Sequence, residues 1–285
     1  MRYATVNSPA GKPVLVRIDK NDMATPIGRA FQTVGVDPLR VLFANRQSPR
    51  RTKAIGKPFP MGKVRKFYSP VSVPSKVVSV GANFRKHIKE IGLTVPAFPV
   101  SFAKYPSALI GHRDAIRYRR RDTKQVDWEN ELMIVMGRRA RDVKAKDALK
   151  YVFGYTVVND VSARDHQFSG DQFTRSKSFD TFMPVGPWIV DTSEIPNPQK
   201  LPMITRVNGK VVQDNNTSDQ VFSCAKIIEF LTRYMTLEPG DMITTGTPEG
   251  VGWGRKPQMF LKDGDVLETE IVGIGTLRNP IKVYK

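Results

Sequence analysis

A β-dominated α+β fold is what this sequence predicts, and three observations carry the prediction. Short apolar, β-branched runs alternate with glycine- and proline-marked turns, most regularly over residues 200–285. Helical periodicity is confined to short stretches, the clearest after Ser223. The first 70 residues read as a small β-rich N-terminal domain, closed by Pro70 and Pro74 near a boundary at 71–76; residues 71–285 then form the main domain.

Taken in order, the chain opens with strands at residues 2–6 and 14–18, and Pro9, Gly11 and Pro13 mark the turn between them. Residues 47–60 are basic and rich in proline and glycine, which predicts an irregular connection. Residues 77–81 are the first strand of the main domain and lead into 82–92; if that piece is helical, His87 and Glu90 lie three apart and touch. His112 falls in a turn where nothing points to catalysis. Residues 126–137 read as a strand ending at Gly137, and 155–160 as a second, with Asp160 at its end. A short helix at 145–151 separates them. Ser223 is the N-cap of a helix whose buried face holds Ile227, Ile228, Leu231, Tyr234 and Met235. A turn at 237–241 enters the strand 242–245, and the loop 246–250 offers backbone N–H groups and the Thr247 hydroxyl to a carboxylate.

Composition narrows the function classes. An apolar content of 40% with no apolar run of membrane-spanning length argues for a globular protein without a transmembrane helix. The N-terminus lacks the apolar core of a secretory signal, and a single cysteine, Cys224, suits a reducing compartment, so a cytoplasmic location is expected. Cys224 lies within the amphipathic pattern and reads as packing. The net charge is +18, with basic clusters at 46–66, 113–124 and 138–150. No nucleic-acid-binding motif accompanies them, so nucleic acid is not expected as the main partner; a solvated surface that attracts anionic substrates is.

Glu129 and Glu131 lie two apart on the expected strand and so share a face, with Asp160 at the end of the next strand. Neighbouring like charges are unfavourable unless neutralised, and a hard cation such as Mg²⁺, Mn²⁺ or Ca²⁺ suits three carboxylates better than zinc does. The spacing alone is not diagnostic. Glu268 and Glu270 repeat it in a strand where Leu267, Thr269 and Ile271 face inward and the acids face solvent.

The wider pattern is more specific. Asp127-Trp128-Glu129-Asn130-Glu131-Leu132 is followed by Asn159-Asp160-Val161-Ser162-Ala163-Arg164-Asp165 and Lys177-Ser178-Phe179-Asp180. Later come Val207-Asn208-Gly209, Asn216-Thr217-Ser218-Asp219, Leu237-Glu238-Pro239-Gly240-Asp241, Thr245-Gly246-Thr247-Pro248 and Gly273-Ile274-Gly275-Thr276. In this order, over about residues 76–285, the motifs resemble the fumarylacetoacetate hydrolase family. The resemblance implies that family's β-roll, a homodimer, and a divalent metal on Glu129, Glu131 and Asp160. It also implies His87, set by Glu90, as the base on a mobile lid, and Lys177 as a fixed ammonium at the site. Arg164, Gln167 and Thr247 would orient the substrate's head group. His166 departs from the family, where an aliphatic residue is usual, and either alters the pocket or points outward.

What the resemblance implies is chemistry on a small 2-oxo acid through a metal-stabilised enolate. A 3-acylpyruvate hydrolase is the expected activity, with His87 activating water. Oxaloacetate decarboxylation and hydroxymuconate-type isomerisation or tautomerisation use the same intermediate and stand as alternatives. A basic polyanion-binding protein on the same scaffold is the alternative from another class.

Overall fold

Alternation along one strand, Asn130–Met136, sets the architecture. Every residue in it is buried, and its two faces feed two cores: Leu132, Ile134 and Met136 enter one apolar cluster, Met133 and Val135 another. A strand covered on both faces belongs inside a sheet. This one pairs antiparallel with Val152–Asn159 on one side and Met242–Thr244 on the other. The computed structural model, which describes residues 1–31, 36–170 and 172–285, extends the pairing into an eleven-stranded mixed sheet. From one edge the order is Phe59–Pro60, Met23–Arg29, Pro13–Ile18, Arg2–Asn7, Met183–Asp191, Val152–Asn159, Asn130–Met136, Met242–Thr244, Val77–Gly81 and Val100–Ala103. Leu109–Ile110 pairs in parallel beside Met183–Asp191. The N-terminal strands thus continue the main sheet, and Tyr3, Leu15 and Leu39 share a cluster with Met133 and Met242.

A five-stranded sheet runs Lys210–Asn216, Pro202–Val207, Val266–Ile271, Gly275–Tyr284 and Ile116–Arg119. Its Met203, Ile271 and Leu277 enter the cluster that holds Leu132 and Ile134. Helix Cys224–Tyr234 covers the same core with Ile227, Ile228 and Leu231, and each such side chain contributes roughly 1.5–3 kcal/mol of apolar transfer. Ser223 caps this helix by accepting the Lys226 N–H at 3.3 Å. Tyr234, expected on the buried face, is instead 68% exposed; it sits in the helix's last turn and packs edge-on against Phe230, one turn back on the helix flank. Cys224 is wholly buried, and burial pushes its thiol up to about 12, as packing requires of an inert cysteine.

The strand expected over 126–137 is broken. Val126–Asp127 pairs with Ser162–Ala163 as a separate two-stranded ladder, and only Asn130–Met136 joins the large sheet. Side chains cause the break: the Glu129 N–H donates to Asn159 Oδ1 at 3.0 Å, and the Asn130 N–H to Gln213 Oε1 at 3.2 Å. Residues 82–92 do carry a helix, Arg85–Glu90, and 145–151 form Ala145–Ala148 followed by a 3₁₀ turn, Leu149–Tyr151. Helix Pro38–Ala44 has no counterpart in the sequence reading, although Asp37 accepts the Leu39 and Arg40 N–H groups in the usual N-cap manner. The basic residues of 46–66 and 113–124 lie at the surface, as a solvated-charge reading requires. No described helix is long and apolar enough to cross a membrane.

Candidate active site

The break at Trp128 and Glu129 brings the acids together. Asp160 directly follows strand Val152–Asn159, and its N–H donates to the Glu129 carbonyl at 2.9 Å. Asn159 locks the junction, accepting from Glu129 and donating to Thr269 Oγ1 at 3.0 Å. As a result Glu129, Glu131 and Asp160, all buried, each place one oxygen within 4.8 Å of the others. The Gly246 N–H donates to Glu131 Oε2 at 2.7 Å. Only glycine serves there: its φ is +89°, and a Cβ would stand 2.8 Å from that of Asn83. Glu268 and Glu270 behave as the control predicted, half-exposed while Leu267, Thr269 and Ile271 are buried.

Three buried cations answer the acids. Lys177 Nζ lies 2.7 Å from Glu129 Oε2 and 3.0 Å from Asp160 Oδ2. Arg164 meets Asp127 Oδ2 and Glu129 Oε1, both at 2.8 Å, and its Nη1 donates to Gln167 Oε1 at 2.7 Å. Lys104 Nζ donates to the other oxygen of Asp160 and to the Phe182 carbonyl. Burial alone would raise Glu129, but Lys177 and Arg164 hold its carboxyl down at about 2. Among the described residues Glu131 has no ion-pair partner; burial, then Asp160 and Glu129, push it well above its ordinary value. Burial would lower Lys177, yet Asp160 and Glu129 hold it above its ordinary value. Lys104 is pushed below the usual lysine range by burial, against the pull of Asp160.

Across from the acids stands a dyad. His87 Nδ1 lies 2.9 Å from Glu90 Oε2, and Glu90 Oε1 accepts the Gly250 N–H at 2.9 Å, which ties the helix Arg85–Glu90 to the loop bearing Thr247. His87, Glu129, Glu131, Asp160, Arg164, Gln167, Lys177 and Thr247 all line one cavity of about 270 Å³; Glu90 stands behind His87. Thr247 Oγ1 accepts from Gln213 Nε2 at 3.0 Å. The remainder of the wall is apolar and aromatic, with Leu93, Phe102, Phe168, Phe173, Val251 and Trp253. His166 is not part of it: the ring turns to the Asp122 carbonyl and against Phe179, outside the cavity. The loop expected at 169–171 is described up to Gly170, and Asp171 lies outside the described residues.

Sequence reasoning missed Asp127, Lys104 and the apolar wall. Asp127 accepts N–H groups from Gly252 at 2.6 Å and Trp253 at 3.0 Å as well as from Arg164, yet it signalled only through its place in the motif. Lys104 carried no charge-pattern signal, because its partner is distant in sequence. His112, where nothing in the sequence points to catalysis, lies outside the cavity lining, accepts the Arg278 N–H at 3.1 Å and packs against Phe67.

The donor set fits a hard divalent cation. All candidate ligands are carboxylate oxygens, and each retains a lone pair beyond its present hydrogen bond. Asp127, Glu129, Glu131 and Asp160 set four negative charges against three from Lys104, Arg164 and Lys177, so the fully ionised cluster carries −1. Burial first, and then the unbalanced charge of Asp160 and Glu129, raise the proton affinity of Glu131, and a cation would relieve the repulsion among the three acids.

The chain is similar to known proteins over most of its length. A family model described as fumarylacetoacetate hydrolase C-terminal matches residues 76–282. Oxaloacetate tautomerase YisK of Bacillus subtilis is 43% identical over 219 residues, 76% of this chain and 73% of that protein. The fumarylacetoacetate hydrolase of Exiguobacterium antarcticum superposes with a TM-score of 0.86 at 34% identity, over the whole of both chains. The 2-hydroxyhepta-2,4-diene-1,7-dioate isomerase of Mycobacterium marinum gives 0.80 at 36% identity, covering 99% of this chain and 98% of that one.

Proposed function

Because the chain belongs to the fumarylacetoacetate hydrolase family, an enzyme family, we propose that it hydrolyses the C–C bond of a 3-acylpyruvate or related 2,4-dioxo acid. Glu129, Glu131 and Asp160 would hold the divalent cation, with Mg²⁺ the first choice on ligand chemistry. The observation that carries the proposal is the dyad of His87 and Glu90 on the same cavity as the carboxylate cluster.

The head group of such an acid is a 2-oxo carboxylate. Arg164 Nη2 is buried without a partner among the described residues, an unused donor for that carboxylate. Gln167 and Thr247 line the same end, and Lys177 adds fixed positive charge. A bound cation supplies Lewis-acid stabilisation of the negative charge that develops on the head group. Glu90 accepts from His87 Nδ1, a tautomer assigned from this contact, so Nε2 is left to take a proton from water. The resulting hydroxide adds to the distal carbonyl carbon. The bond from that carbon to C3 then breaks with its electron pair moving to C3, and the proton on His87 returns to C3. Pyruvate and a carboxylate are the products, and the apolar wall excludes competing bulk water.

A second reading is keto–enol tautomerisation of a 2-oxo acid, favoured by relatives named for that reaction on oxaloacetate at 43% identity. The same His87 would then move a proton at C3 and no bond between carbons would break. Acetylpyruvate and butanoylpyruvate with Mg²⁺ separate the two. Equimolar pyruvate and acid, abolished by EDTA and restored by Mg²⁺, support hydrolysis; enol decay without pyruvate supports tautomerisation.

A further inference from the structure

The Asp, Glu, Lys and Arg side chains that line the cavity, among the described residues, form one connected cluster. Among the described residues lining it, the lysine and arginine side chains are Lys177 and Arg164, and both are bound to the carboxylate cluster. Beside and beyond the cluster the wall is apolar. Phe102, whose ring lies 5.4 Å from Lys177 Nζ, meets Phe173 edge-on at 5.5 Å, and Phe168 packs on Trp253 at 4.6 Å. Leu93 and Phe168, each 56% exposed, form the rim. The nearby Arg255 is already engaged over the Trp128 ring and with the Val212 and Gly250 carbonyls.

We infer that the group beyond the scissile bond is uncharged and apolar, an alkyl or aryl acyl chain, with Leu93, Phe102, Phe168, Phe173, Val251 and Trp253 as its specificity-determining residues. The inference rests on the 2-oxo acid reading of the head end. Two physical points converge on it. An unpaired carboxylate against this wall would lose its hydration with no further lysine or arginine in return, whereas each methylene buried there is favoured by leaving water. The charge count agrees. A cluster of −1 becomes +1 with a divalent cation, which one substrate carboxylate neutralises and a second would overshoot. A diacid with a long tail would set its second carboxylate against a wall that supplies no lysine or arginine side chain beyond Lys177 and Arg164.

Binding of unreactive 2-oxo acids tests this without turnover. The full chain with Mg²⁺ is titrated calorimetrically with 4-methyl-2-oxopentanoate and with 2-oxoglutarate, which share the head group and differ in the tail. The wild type is expected to bind the methyl-branched acid more tightly by on the order of tenfold. Phe168→Arg and Leu93→Lys, both at exposed rim positions that tolerate charge, are expected to narrow or invert the ratio. Equal or tighter binding of 2-oxoglutarate by the wild type overturns the apolar tail and leaves the head-group reading standing. Binding of neither acid overturns the head-group reading, and the tail assignment falls with it.

Discussion

Asp127 accepts the Nε–H of Arg164 at 2.8 Å, and its two carboxylate oxygens also take the backbone N–H groups of Gly252 and Trp253. One buried side chain thereby fixes both the guanidinium at the head end of the cavity and the loop that carries Val251 and Trp253 into its apolar wall. Asp127→Asn keeps the shape and removes the charge. Breaking one side of a buried pair costs about 3–5 kcal/mol, which urea denaturation should show. In the fraction that folds, KM should rise at least tenfold because Arg164 loses the carboxylate that fixes it, and Mg²⁺ affinity should fall by less because the three ligand carboxylates remain. Steady-state kinetics with metal titration reads both.

Metal affinity should depend on pH through Glu131. Burial, Asp160 and Glu129 raise this carboxyl above its ordinary value, so in the metal-free site protons compete with a cation for it. Glu131 stabilises the metal-free fold below its unfolded pKa and loses that contribution as pH rises through its folded one. Mg²⁺ binding therefore strengthens with rising pH, by up to about tenfold per pH unit until Glu131 ionises. Calorimetry in buffers of different ionisation enthalpy should detect proton release on Mg²⁺ binding, and Glu131→Gln should reduce it.

His112 predicts a separate acid response far from the catalytic cluster. Burial, with Arg113 and Arg278 nearby, pushes its imidazole down to about 4. A depressed folded pKa means full stability above the ordinary value near 6.5, lost progressively as pH falls toward 4. Denaturation midpoints measured across that window should fall for the wild type and fall less for His112→Gln.

Much of this was legible in the sequence, and the failures share a cause. Periodicity and turn residues located strands such as Val77–Gly81 and Val266–Ile271, because alternation reflects which face is covered. Glu129 and Glu131 were paired correctly, yet the uninterrupted strand beneath them was not, since Asn159 and Gln213 replace ladder hydrogen bonds from distant positions. Lys104 reaches Asp160 across 56 residues, and no local pattern announces such a contact. Tyr234 fitted the helical stripe by spacing, but its place in the last turn left it at the surface. The motif order identified the family; the apolar wall emerged only when Leu93, Phe168 and Trp253 met in space.

In the proposed hydrolysis His87 activates water for attack on the distal carbonyl. The most direct measurement is pyruvate release from butanoylpyruvate by His87→Ala, with Mg²⁺ affinity measured on the same preparation. Removal of a general base predicts release slowed by about 10²- to 10⁴-fold with the metal bound as in wild type. Pyruvate release within a few-fold of wild type would contradict the assignment and require another residue to carry the proton.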